Sequence, residues 1–293
     1  MMILVVLALL LGAASAAAIP HHVRDLDMHL GCGTIMPDGF AETSLGYAAI
    51  ERAQGLTLNN FDNVTVEVHF HAQSVSEIGD PSYLTAKSLY DVLDYINLHF
   101  NRWGFYFRMK GFDHTVDAIS ANATEPLFDS YNLKTSTYVG TVNTLNIWTF
   151  TQFYPGVAGT TDNIGIFMHY EALPPLNAGS TLVHEIGHWL GLGHTFNTGH
   201  GDGPEECDYP DADSVDDTPI HRQPMTLNMD DEYFNCKPID SCPGQPGMDP
   251  INNFMNYNWP KCATEFTEGQ AVRMHNFWKD FANIKRGQGN PFA

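Results

Sequence analysis

His184, Glu185, His188, Gly191 and His194 stand in the order H-E-x-x-H-x-x-G-x-x-H within the run TLVHEIGHWLGLGHTF, Thr181 to Phe196. On a helix, histidines four residues apart project from one face, and two imidazoles so placed grip one metal ion. Glu185 sits beside the first of them, within reach of a water on that ion. Gly191 has no Cβ, so the backbone can leave the helix there through a left-handed conformation. That turn brings His194 round as a third ligand. Three neutral imidazoles with a position left open for water describe a catalytic zinc site, not a closed structural one. Zinc lowers the pKa of such a water and polarises a carbonyl oxygen. Glu185, the one acid inside the motif, is suited to take the water's proton and deliver it to a leaving amine.

A scaffold has to hold these groups. Val64, Val66, Val68 and Phe70 alternate with Thr65, Glu67, His69 and His71, which is a strand signal. His69 and His71 share one strand face, and with no third ligand of matching phase nearby they read as ordinary polar-face residues. Leu89, Val92, Leu93, Ile96 and Phe100 recur at helical steps and predict a helix over Thr85–Asn101. Strands are expected at Phe105–Met109, Thr144–Phe150 and Ile164–His169, with an edge strand or loop over Gly156–Asn163. The zinc helix should start near Gly179-Ser180-Thr181. Thr267-Glu268-Gly269-Gln270 is a capping-box pattern, opening a helix to about Phe281. Residues 19–55 and 113–136 show little periodicity. The pattern predicts an α/β (α+β) fold with a mixed twisted sheet and the zinc helix in an upper lobe, and a loop-rich lower lobe with a C-terminal helix.

The chain has 293 residues and a net charge of −20, from 14 basic and 34 acidic side chains. That balance argues against nucleic acid and anionic membranes as partners. Residues 1–18, MMILVVLALLLGAASAAA, carry an apolar run too short to span a bilayer that ends in small residues, and read as a signal peptide. A secreted, extracellular and soluble protein is expected. Export permits disulfides. Five cysteines are present, Cys32, Cys207, Cys236, Cys242 and Cys262; the last four admit three pairings, which the sequence leaves open. Sequons at Asn63 and Asn122 could carry glycans. Asn197 to Asp249 is an irregular stretch rich in Gly, Pro and Asp, and such a length needs something to hold it. Its carboxylates, from Asp202 to Asp217, are hard oxygen ligands that would suit calcium.

The extended motif resembles that of the metzincin zinc endopeptidases. AGSTLVHEIGHWLGLGHTF is similar to the pappalysin family within them, and most of all to its secreted fungal extracellular metalloproteases. The resemblance runs from about Cys32 to Phe281. It implies a zymogen with a propeptide over 19–55, a catalytic domain over 56–293, and Cys32, in Cys32-Gly33-Thr34, as a cysteine switch whose thiolate fills the open zinc position. It implies disulfides Cys207–Cys242 and Cys236–Cys262, and it maps a calcium loop onto Asp213-Ser214-Val215-Asp216-Asp217-Thr218-Pro219, with Asp213 and Thr218 as ligands. Asn253-Phe254-Met255-Asn256-Tyr257 is similar to the Met-turn, with Met255 as an apolar floor. Tyr257 is then the candidate to hydrogen-bond the oxyanion or touch the zinc. The family often has a bulky aromatic before the third histidine, where this chain has Gly193, so local packing should differ. The implied activity is a zinc-dependent endopeptidase acting as a monomer on protein or peptide substrates. An extended peptide should lie along the sheet's edge strand. The rival from another class is a secreted zinc-binding protein without turnover, an effector or decoy.

Overall fold

The computed structural model describes residues 31–77, 79–124, 130–141, 143–153, 157–162, 164–174, 179–196, 207, 213–223, 236–257 and 261–285. The expected signal peptide, most of the acidic stretch and the start of the expected propeptide lie outside these.

The fold is built on a mixed sheet of strands β1 (Gly31–Cys32), β2 (Val64–Ser74), β3 (Phe105–Val116), β4 (Thr144–Phe150), β5 (Val157–Thr161) and β6 (Gly165–His169), in the order β1-β5-β6-β4-β2-β3. Pairing is parallel except between β5 and β6. The helices are α1 (Phe40–Gln54), α2 (Ala86–Phe100), α3 (Ser130–Thr137), α4 (Ser180–Trp189) and α5 (Glu268–Lys285). Thr85 caps α2 by accepting from Ser88 N at 3.2 Å.

Alternation along β2 divides the molecule. Val66, Val68, Phe70 and Ala72 face α2 and α4 and join Leu89, Val92, Ile96, Leu182 and Ile186 in the main core. Burying each of the valine, leucine, isoleucine and phenylalanine side chains contributes about 1.5–3 kcal/mol. Trp148, Phe150 and Phe167 form a smaller cluster with Ala123 and Phe153. A continuously buried strand such as β4, with all seven residues buried, is what a parallel interior position requires.

Three elements differ from the sequence expectation. β3 runs on to Val116, α3 lies inside the stretch with no clear period, and α1 occupies a segment read as irregular. Buried residues of α1 are the small Ser44 and Ala48, so there is no apolar stripe for periodicity to detect. Its contacts are largely polar. Arg273 of α5, buried, donates from Nε and Nη2 to the two carboxylate oxygens of Glu51 at 2.8 and 2.9 Å, and from Nη1 to Ser44 Oγ at 2.7 Å. The expected capping box does start α5: Gln270 N donates to Thr267 Oγ1 at 3.1 Å, and Thr267 N to Gln270 Oε1 at 3.0 Å. Cys207 is joined to Cys242 and Cys236 to Cys262, stapling the irregular region. Asn63 is exposed, whereas Asn122 is half-buried and its Oδ1 accepts from Thr124 N.

Candidate metal centre

α4 carries His184, Glu185 and His188 into the interior, where all three are buried. The helix ends as the motif requires. Gly191 has φ 88°, and a Cβ there would stand 2.4 Å from Phe277 Cγ, so the turn needs glycine for both its backbone and its space. Beyond it His194 folds back beneath the helix. The three Nε2 atoms converge: His184 to His188 3.0 Å, His188 to His194 3.1 Å and His184 to His194 3.2 Å.

Neighbouring carbonyls determine what that convergence means. His184 Nδ1 donates to Phe254 O at 2.6 Å and His188 Nδ1 to Leu192 O at 2.8 Å. Each ring therefore carries its proton on Nδ1 and turns a bare Nε2 lone pair inward. Burial lowers the pKa of all three rings, His188 and His194 well below the ordinary value, and neighbouring imidazoles add to the effect at those two. Neutral rings facing one another lone pair to lone pair repel, and a shared cation is what relieves them. This donor set fits zinc. Cys32 completes it, its ligand atom lying with those of the three histidines within 4.8 Å of one another. Burial, and after it the Glu185 carboxylate, pushes the Cys32 thiol up; a bound divalent cation supplies the opposite field.

Thr34 is a participant that sequence reasoning missed. Its Oγ1 donates to Glu185 Oε2 at 2.7 Å and accepts from Thr161 N at 2.8 Å, while Thr161 Oγ1 donates to the same Oε2 at 2.8 Å. Glu185 Oε1 is buried without a partner. β1 lies parallel to β5, with Gly33 N donating to Gly159 O at 2.9 Å, so the N-terminal segment occupies the sheet edge beside the histidine cluster. Nothing in the spacing Cys-Gly-Thr signals this contact with a residue 151 positions on.

Met255 packs under α4, its Sδ 2.4 Å from where a Cβ on Gly187 would be. Glycine inside the helix thus admits the sulfur against the backbone. Asn253 holds the turn by accepting from Met255 N at 2.8 Å and donating to Gln270 Oε1 at 2.7 Å, which ties it to α5. Tyr257 lies with its ring centroid 4.6 Å from that of His194, and its hydroxyl donates to Cys32 O at 3.3 Å. At Gly193 a Cβ would meet Phe40 Cε1 of α1 at 3.1 Å, so this close approach admits an aromatic ring from the N-terminal segment.

The candidate calcium ligands meet, but by a hydrogen bond. Thr218 Oγ1 donates to Asp213 Oδ1 at 2.7 Å, and burial raises Asp213 to about 7. Asp216 pairs with Arg52, and Asp217 accepts from Thr267 Oγ1 and Gly269 N at the start of α5. Among the described residues, no group of three histidine, cysteine or carboxylate ligands forms around Asp213.

A three-imidazole site of this kind, made by a helix and the turn after it, is that of a metzincin-type zinc peptidase. Comparison with known proteins agrees. Residues 155–279, which hold the three histidines, Glu185, Met255 and Tyr257, match the peptidase family model described as pregnancy-associated plasma protein-A. An extracellular metalloprotease of Verticillium alfalfae is 31% identical over 93% of this chain and 98% of its own. One of Pyricularia oryzae is 31% identical over 92% and 94%. A promirolysin mutant of Tannerella forsythia shares the fold, with a TM-score of 0.57 at 17% identity over 87% of this chain and 98% of its own. The chain belongs to the pappalysin family of zinc metallopeptidases.

Proposed function

We propose that the protein is a secreted endopeptidase made as a zymogen, with His184, His188 and His194 as zinc ligands and Glu185 as general base and acid. The observation that carries this is the inward convergence of three neutral Nε2 atoms beside a buried glutamate. Secretion is supported by relatives named as extracellular and by the apolar leader.

Zinc, when bound, polarises the scissile carbonyl and acidifies the attacking water. Glu185 accepts that water's proton, for which its unpartnered Oε1 is available, and passes it to the departing amine nitrogen. Tyr257 is placed to donate its hydroxyl to the oxyanion; its pKa is pushed up by burial first and by Cys32 and Glu185 after it, so the hydroxyl keeps its proton. Met255 floors the histidine cluster. An extended substrate lies along β5, using backbone groups that β1 now occupies.

In the latent form Cys32 Sγ serves as fourth ligand and Thr34 occupies Glu185, so metal and base are both covered. Residues 1–18 are read as the signal and 19–55 as the propeptide, leaving 56–293 as the catalytic domain; the end of α1 at Gln54 supports that division. Calcium at Asp213 and Thr218 belongs to the same reading and rests on the family resemblance alone. Calcium-selective chelation should then lower Tm while zinc stays bound, and an unmoved Tm removes calcium.

The deciding experiment is proteolysis of an unfolded protein substrate by the purified processed enzyme loaded with zinc. Cleavage lost on zinc removal and restored on its return is expected. A zinc-loaded, processed and folded protein that cleaves no peptide bond would overturn the proposal in favour of a binding protein without turnover.

A further inference from the structure

A second group of metal-ligating side-chain types lies on the other face of the sheet. Main-core residues Val68 and Phe70 point toward α4, so His69 and His71 between and beyond them point away from it. Contrary to the sequence expectation, these are not ordinary polar-face residues. Both are buried, His71 at 1% exposure and His69 at 9%. A third ligand of matching phase comes from β3. Val68 pairs with Met109 but His69 pairs with Gly111, which leaves Lys110 as an extra residue. This bulge re-phases the strand, so that Asp113 rather than Phe112 stands beside His71. Gly111 leaves room for the His69 ring, whose Cε1 and Nδ1 are 3.2 Å from a Cβ built there. The result is that Asp113 Oδ2 lies 2.9 Å from His69 Nε2 and 2.9 Å from His71 Nδ1.

The tautomer of His71 is set from behind. Asn146 Nδ2 donates to Val139 O and Thr144 O, at 3.1 and 3.2 Å, and Asn146 Oδ1 accepts from Val139 N at 3.0 Å. That amide is therefore fixed, with its oxygen 2.9 Å from His71 Nε2. His71 carries its proton on Nε2, and its ring is clamped against Trp148, centroids 4.8 Å apart at 12°. With Nε2 spent on Asn146, it is Nδ1 that faces the Asp113 carboxylate oxygen, buried and without a hydrogen-bond partner, and a cation held between the two would satisfy both.

We propose that His69 Nε2, His71 Nδ1 and the Asp113 carboxylate bind a divalent first-row metal ion, separate from the catalytic centre, that clips β3 to β2. Two imidazoles and one carboxylate suit zinc or its neighbours; they hold too few oxygens for calcium or magnesium. Asp113 is half exposed, which gives the ion a path in and water a place to complete its coordination. β3 is the outermost strand at that end of the sheet, paired on one side, so a metal link there secures an edge.

The test is a zinc titration of the metal-free full-length protein, with bound metal counted per chain after gel filtration. About two equivalents are expected for the unaltered chain and about one for Asp113→Asn. His71→Gln should also lose about one. Because Asp113 is half exposed and stands apart from the catalytic machinery, Asp113→Asn should fold and, once processed, keep its proteolytic activity. The difference between chain and variant is the readout, so it holds whether or not the catalytic assignments are correct. An equal zinc count in the unaltered chain and in Asp113→Asn would overturn the site. If that count is one, an imidazolium–carboxylate pair occupies the place; if two, the second ion binds elsewhere.

Discussion

Two of the attachments of the N-terminal segment to the rest of the molecule are of different kinds. Beside the histidine cluster, few residues touch groups that the proposed chemistry uses. Cys32 joins the histidines, Thr34 donates to Glu185, and β1 covers β5. Along α5, the contacts touch no proposed catalytic group. There Glu51 neutralises Arg273, whose guanidinium is also held by Ser44 Oγ and Ser214 O, and Arg52 pairs with Asp216. On the proposed reading, the first attachment blocks and the second holds the blocker in place. Substitutions beside the histidine cluster should therefore register in activity, and those along α5 in stability.

That contrast can be broken at its centre. Glu185→Ala in the processed enzyme is predicted to lower kcat by about 10²–10⁴-fold, measured on a peptide substrate with zinc content unchanged. Retained turnover would remove Glu185 from its role and leave Thr34 covering nothing of consequence. Next, full-length Cys32→Ser is predicted to cleave substrate without processing, while its Tm stays close to that of the unaltered protein. A variant as silent as its parent would shift the burden of latency to the strand and α1.

The α5 attachment supplies the converse. Glu51→Gln leaves the buried Arg273 charge uncompensated and should cost about 3 kcal/mol in the full-length protein, read by denaturant unfolding. The processed form should be indifferent, since residue 51 is gone; an equal loss in both would disprove the proposed division. Thr34→Val removes a hydrogen bond to a charged group, worth about 1.5–3 kcal/mol. It should raise the residual activity of the full-length protein without reaching that of Cys32→Ser. The smallest effect is expected from Arg52→Ala, under about 1 kcal/mol, because both partners of its ion pair are about half exposed.

The convergence of His184, His188 and His194 was legible because its geometry is local. A helix fixes the relation of His184 to His188, and the glycine before His194 announces the turn. Met255 and Tyr257 were legible through resemblance to a family, since neither is marked by spacing alone. The core strands and α2 showed in their periods because one face is buried and the other is not. What was hidden depends on distant pairing. α1 packs through a buried arginine from the other end of the chain and so lacks an apolar stripe. Asp113 reaches His71 because a bulge at Lys110 shifts the phase of β3, and one inserted residue in a half-exposed strand leaves no mark on its composition. Thr34 meets Glu185 through the β1–β5 pairing, which is set by the whole sheet.

The pairing of β1 with β5 has one more consequence. In the form described here the row of backbone donors and acceptors along β5 is taken up on both sides, by β6 and by β1. Processing, on the proposed division, opens one side. A bare strand edge accepts any extended chain, including another copy of the same protein. On that reading the unprocessed chain is also the form with its β5 edge covered. Concentrated before processing, the protein should remain dispersed; concentrated afterwards without substrate, it would present every neighbour with an open template, and the proposed propeptide would double as a solubility device.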